Sequence, residues 1–133
     1  MNQPVTIIAE AGVNHNGSIE RAMELIDAAA YCGADIVKFQ HFIASSLATT
    51  CCQMAPYQVA QTEDQQSQID FLNKLELSFD ELVQLKKYAV QLDIGFLVTG
   101  FDMQSLPEIF SHNDSLVKVP SGELNNVLFL RAA

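Results

Sequence analysis

Tryptophan is absent, and lysine and arginine together number only seven against sixteen acidic residues. The net charge of −9 and a pI of about 4.5 make a surface that repels nucleic acid and anionic membranes, so neither is an expected partner. No apolar run approaches the roughly 18 residues needed to cross a bilayer. The opening MNQPVTIIAEAG lacks a basic stretch followed by a long apolar one, so no signal peptide is expected there. Cysteine is scarce. Cys32, Cys51 and Cys52 are odd in number and lack metal-like spacing, and read as reduced thiols of a cytoplasmic protein. Cys51 and Cys52 are expected to be loop thiols rather than a redox pair. Neither a G-x-G-x-x-G nor a Walker pattern occurs, which removes direct support for a nucleotide fold.

What is present suffices for a packed domain. The 133 residues are 49% hydrophobic and 17% charged. Val5–Ala9 is a continuous β-rich apolar run, as in strands buried on both faces of a parallel sheet. It breaks at Gly12 and Gly17. Ser18 is an N-cap for a helix with Ala22, Ile26 and Ala29 on one side, closed by Gly33. Ile36–Gln40 reads as the second strand. A polar stretch from about His41 to Gln68 is long enough to be an active-site loop, and Ile69, Leu72 and Leu75 turn helical at its end. Ser78-Phe79-Asp80-Glu81 matches a capping box, followed by Leu82, Leu85, Ala89 and Leu92 at helical spacing. Gly95–Thr99 is the third strand. Ser105-Leu106-Pro107-Glu108 opens another helix, with Pro107 in its first turn. Leu116–Val119 reads as a fourth strand, and Asn125–Ala133 begins a last helix. Alternation of this kind predicts right-handed βαβ units and a parallel sheet. A whole (β/α) barrel needs eight strands and about 250 residues. Four strands leave half a barrel or a small open sheet.

Polar residues gather at the C-terminal ends of these strands. Glu10, Asn14, His15 and Asn16 follow the first, and Lys38 and Gln40 lie in the second. Thr99 and Asp102 come after the third, and Lys118, Ser121 and Glu123 at the fourth. That is where a barrel mouth or a switch-point crevice places its site. A lone ammonium is costly to bury, so Lys38 and Lys118 each require a carboxylate or a ligand anion. One arrangement is a Lys38–Glu10 pair; the other is an anion site shared by both lysines. Asn14–Gly17 serves equally as a turn that accepts left-handed geometry or as a substrate loop. His15 reads as a hydrogen-bonded loop histidine rather than a metal ligand, and His41 and His112 form no cluster with it. Thr99 is a strand end whose hydroxyl suits a phosphate. Glu76, Asp80 and Glu81 are expected to be solvated helix-start charges.

The blocks IIAEAGVNHNGS, GADIVKFQHF, FLVTGFD and KVPSGELNN, in order along almost the whole chain, resemble the N-terminal half of the sialic acid synthase family. The resemblance implies a parallel (β/α) TIM-barrel-type α/β fold of which residues 1–133 supply about half, four βα units with the last incomplete. The second half of the barrel and a C-terminal antifreeze-like domain would be absent. It implies a carbon–carbon bond-forming transferase. This enzyme condenses phosphoenolpyruvate with N-acetylmannosamine, or a related amino sugar, to a nonulosonic acid and phosphate. A divalent metal such as Mn²⁺ would polarise the sugar aldehyde, with no metal ligand in this chain. Lys38, Thr99, Lys118 and Ser121 would hold phosphoenolpyruvate, Glu10 and Glu123 would be catalytic, and Asn14 and Gln40 would lie on the sugar side. The chemistry of the substrates agrees: an anion needs cations and hydroxyl donors, and a sugar needs carboxylate acceptors. The sequence departs from the family at Gly100, where proline is expected after the threonine; a glycine there loosens the turn.

Half a barrel exposes sheet edges and apolar surface, so self-association into a homo-oligomer, through open sides or exchanged elements, is expected. Full catalysis by this piece alone is not. Two other readings are a non-catalytic remnant that binds an anion or another subunit, and an unrelated phosphate-binding open α/β domain. A non-sequential strand order would favour the latter.

Overall fold

In the computed structural model the described residues are 5–49, 67–112 and 116–133. Strands β1 (Ile8–Gly12), β2 (Ile36–His41) and β3 (Gly95–Gly100) form one parallel sheet in the order β1-β2-β3. Helices are α1 (Ile19–Tyr31), α2 (Ala44–Leu47), α3 (Gln68–Leu75), α4 (Phe79–Gln91), α5 (Leu106–His112) and α6 (Val127–Ala132), with a 3-10 turn at Ser121–Glu123. The sequential order shows no switch point, which disfavours the open-sheet alternative.

The helices begin where their caps stand. Ser18 accepts from the Arg21 amide, and Ser67 from that of Asp70. Ser78 and Glu81 form a full capping box at the start of α4. Gly33 follows α1 at φ +77°, the left-handed closure its position predicts. Asn16 (φ +50°) and Gly17 (φ +77°) shape the β1–α1 turn. A Cβ on Gly17 would lie 2.1 Å from the Lys74 carbonyl oxygen, so α3 closes on this loop only over a glycine.

Alternation along the strands separates two faces. Val37 and Phe39 of β2 and Val98 of β3 meet Ala22, Ile26 and Ala29 of α1 and Leu82, Leu85 and Ala89 of α4 in the main core. Each large buried aliphatic here contributes about 1.5–3 kcal/mol. Tyr88 ties α4 to α1 by donating to Asp27 (2.8 Å). A second cluster, Phe42, Ala44 and Leu75 with Val13, Phe71 and Phe101, caps the C-terminal end of the sheet.

Four expectations are corrected. The first strand starts three residues later than its apolar run. The Ile7 amide donates to the Asp35 carboxylate (2.6 Å) instead of joining a ladder, and Val5 is 85% exposed. Leu116–Val119 forms no strand: none of the described residues pairs with it, and Leu116 and Val117 remain about half exposed. An apolar run becomes a strand only when a neighbour takes its backbone groups. Gly100 does not loosen a turn; it is the last residue of β3, and a Cβ there would meet Ile109 Cδ1 at 2.4 Å, so it admits α5 against the sheet. In the expected long loop, His41 belongs to β2 and Ala44–Leu47 is helical; Cys51 and Cys52 lie outside the described residues.

Candidate active site

The face of the sheet opposite the core carries the polar set. Register places Glu10 beside Lys38 and Gln40 beside Thr99. Lys38 forms an ion pair with Glu10, and its Nζ donates to Thr99 Oγ1 at 3.3 Å. Gln40 Nε2 reaches Glu10 Oε1 at 3.5 Å, at the limit of a hydrogen bond. The Lys38 side chain is 11% exposed and that of Glu10 is 49% exposed. The cation is therefore sunk into the sheet with its carboxylate on the solvent side. Thr99 is buried and acts on Lys38 rather than on solvent. The register with β2 shifts between Glu10 and Gly12, an irregularity of the kind that re-aims side chains beside sites. A Cβ on Gly12 would press on Glu10 Oε1 (3.1 Å) and Gln40 Nε2 (3.3 Å), so the glycine leaves room for both.

The remaining predicted residues stand apart from this network. Asn14 is exposed on the β1–α1 turn. Lys118 is exposed on the extended segment outside the sheet and makes no ion pair among the described residues. The expected matching of two buried strand-end lysines therefore reduces to Lys38 alone, because the fourth strand is not formed. Ser121 opens the exposed 3-10 turn. Glu123 is half-buried, and its Oε2 accepts from Asn126 Nδ2 at 2.7 Å.

Both buried histidines face the other way. The His15 ring lies 6.1 Å from that of Phe39, on the helix side of the sheet, and its Nδ1 accepts from the Gly17 amide. His41 follows Phe39 on that side, with Nε2 3.9 Å from Glu108. The His15 Nε2 and His41 Nδ1 atoms have no partner among the described residues. Among those residues no three His, Cys, Asp or Glu side chains converge on a metal-sized point. The donors near Glu10 are spent on Lys38 and Gln40, so the site's residues do not fit a divalent metal by themselves.

Two carboxylates have positions that local pattern reading misplaced or left unassigned. Asp102 is buried and accepts from the amides of Ile43, Gln104 and Ser105, each at 2.9 Å, and from Ser105 Oγ at 2.5 Å. The D-x-x-S spacing after β3 was a legible signal for part of this, an aspartate at a helix entrance. Glu76 is not a solvated charge: it accepts from the Ala44 amide at 2.8 Å, 32 residues away, a contact no local pattern announces. Together they hold the start of α2, whose own N-cap, Ile43, has no capping side chain. α2, the β3–α5 connection and the 3-10 turn line an open cleft of about 610 Å³ beside Glu123.

Residues 25–133 match the NeuB family. The chain is 42% identical over 125 residues to an N,N'-diacetyllegionaminic acid synthase of Campylobacter jejuni, covering 94% of this chain and 37% of that protein. It is 44% identical over 125 residues to the synthase of the same name from Legionella pneumophila, covering 94% and 35%. The crystal structure of the N-acetylneuraminic acid synthetase of Leptospira borgpetersenii superposes with a TM-score of 0.77 at 27% identity, over 98% of this chain and 41% of that one. The chain thus spans little more than a third of the length of the relatives it matches. A parallel α/β sheet with polar residues at its strand ends and a family match over most of its length make this chain a member of the NeuB family.

Proposed function

We propose that this chain carries the phosphoenolpyruvate side of a nonulosonic acid synthase barrel, which joins phosphoenolpyruvate to an N-acylated amino sugar such as N-acetylmannosamine. The observation that carries this reading is the Glu10–Lys38–Thr99 network. It presents one buried cation on the polar face of a parallel sheet, its ammonium reaching Thr99 near the C-terminal end of β3. Lys38 would hold a phosphate or carboxylate oxygen, and Thr99 would keep its ammonium pointed there. Lys118 and Ser121, exposed on their segment, would close on the same anion. Glu10, half open to solvent and braced by Lys38 and Gln40, would accept a hydrogen bond or a proton from the sugar or from water. Glu123, braced by Asn126, would do so from the far side. Asn14 and Gln40 would border the sugar.

The methylene carbon of phosphoenolpyruvate bonds to the sugar aldehyde carbon, water adds to the former enol carbon, and the C–O bond to phosphate breaks. The aldehyde oxygen takes up a proton and inorganic phosphate leaves. A divalent metal would supply Lewis-acid chemistry at the sugar aldehyde. The identities of 42% and 44% to diacetyllegionaminic acid synthases support a diacetamido sugar over N-acetylmannosamine as substrate.

The test is titration of the chain with phosphoenolpyruvate beside Lys38→Ala, which leaves Glu10 partly solvated and the core untouched. Saturable binding that the variant loses, by tenfold or more, is expected. Equal binding by both folded proteins would remove Lys38 from the anion site.

A further inference from the structure

His15 lies outside the Lys38 network, yet the β1–α1 turn hangs on its side chain. In that turn the Asn14, Asn16 and Ser18 amides donate to the backbone carbonyls of Ala11, Val13 and His15, each at 3.0 Å. The Gly17 amide donates instead to the His15 ring, with Nδ1 at 3.0 Å. The ring is fully buried and 6.1 Å from that of Phe39, which in turn stacks on Phe96. The core therefore fixes the ring, and the ring fixes the turn. Asn16 and Gly17 follow one another at φ +50° and +77°. A non-glycine residue keeps such a left-handed conformation where its surroundings hold it there. α3 closes on the same point, since Gly17 sits against the Lys74 carbonyl with no room for a Cβ.

A ring nitrogen accepts only while it is unprotonated. Once charged, His15 turns an N–H toward the Gly17 N–H, and two donors face each other where a hydrogen bond stood. The charged groups on the surrounding elements do not offset this. Glu81 of α4 attracts the cation, but its carboxylate already accepts from the amide and the hydroxyl of Ser78. At the start of α1 the Glu20 carboxylate accepts from the Ser18 hydroxyl. On α3, Asp70 accepts from the Ser67 hydroxyl and Glu76 from the Ala44 amide. Arg21 of α1 and Lys74 of α3 carry the same sign as a protonated ring. Glu10 and Lys38 pair on the opposite face of the sheet, and His41 of β2 has Glu108 as its neighbour. We propose that neutral His15 is a positioning residue that holds the β1–α1 turn, and with it Asn14, at the end of β1, and that it releases the turn on taking up a proton. The functional reading above enters only in giving Asn14 a substrate; the latch stands on the turn itself.

The test needs no ligand, so its outcome is independent of that reading. Proton–nitrogen NMR of the imidazoles in the native chain at about pH 7.5 should show the His15 proton on Nε2. Hydrogen exchange at the Gly17 amide, corrected for the intrinsic pH dependence of exchange, reports opening of the turn. Opening should rise about tenfold from about pH 7.5 to about pH 5.5, the ratio that a freed ring of pKa about 6.5 gives over that interval. The Asn14 signals should move along the same titration, while the interiors of α1 and β2 keep their protection. His15→Asn keeps an acceptor and does not titrate, so it should protect Gly17 equally at both pH values. His15→Leu keeps bulk without an acceptor and should leave Gly17 poorly protected at both. A proton on Nδ1 at neutral pH, an opening that does not change with pH in the native chain, or an equal pH response in His15→Asn would each overturn the latch. So would a loss of protection shared by α1 and β2, which marks general unfolding. Where a variant fails to fold, the tautomer and the pH profile of the native chain still decide.

Discussion

His15 is fully buried, and its Nδ1 accepts from the Gly17 amide, so the ring is neutral with its proton on an Nε2 that has no partner among the described residues. Burial holds its pKa below the ordinary 6.5, with the Glu81 carboxylate opposing in part. The sign follows from proton binding. Below about pH 6.5 the unfolded chain takes up a proton that the folded chain refuses, so stability falls as pH drops from about 6.5 toward the depressed folded value, and is constant above that window. His15→Asn keeps an acceptor near the Nδ1 position and removes the titration. Urea unfolding between pH 7 and pH 5 should show the native protein losing up to about 1.4 kcal/mol per pH unit more than the variant. Parallel slopes would mean that the ring is solvated in the folded state. Lys38 illustrates what a single sequence leaves open at this scale. Both arrangements written for it, a carboxylate partner or a ligand anion, satisfy a buried ammonium; the parallel register of β1 with β2 supplies Glu10 and so decides the resting state.

At the scale of elements, legibility followed the range of the interaction. α1, α3 and α4 carry their start signals within three residues, in Ser18, Ser67 and the Ser78–Glu81 box, and they form where those signals stand. β2 and β3 were visible because their apolar runs lie between other strands or against helices. The run Leu116–Val119 has the same composition and no partner, so its pattern misleads. α2 was invisible for the opposite reason: its stability comes from Glu76 and Asp102, 32 and 59 residues away from the amides they hold. That dependence is testable. Asp102→Asn turns a hydrogen-bond donor toward amides that need an acceptor, and should destabilise the fold by about 2–3 kcal/mol. Glu76→Gln keeps one neutral acceptor and should cost about 1 kcal/mol. Hydrogen exchange should show Ile43 and Ala44 losing protection in both variants while α1 and α4 keep theirs. Uniform loss across the sheet would mean that the two carboxylates support the whole core rather than α2.

For the whole molecule, the sheet and its charge pull in opposite directions. Among the described residues β1 and β3 each pair on one side only, which leaves two unpaired strand edges. Leu116, Val117, Leu124, Val127 and Leu128 are each about half exposed or more. The match to the Leptospira structure covers 41% of that polypeptide. A second copy is the occupant these surfaces invite, because edge strands of like sequence pair readily and an isologous contact closes on itself. Opposing it is a net charge of −9 on each copy, a repulsion acting over about 10 Å at 0.1 M salt and about 3 Å at 1 M. The balance predicts a definite salt response. Light scattering coupled to size exclusion should give a mass near 14.7 kDa at low concentration and low salt, rising toward twice that value as either increases. Association through ion pairs would weaken with salt instead. A mass that stays at one chain under all of these conditions would overturn the association. The Lys38 face would then be open to ligand without competition from a partner.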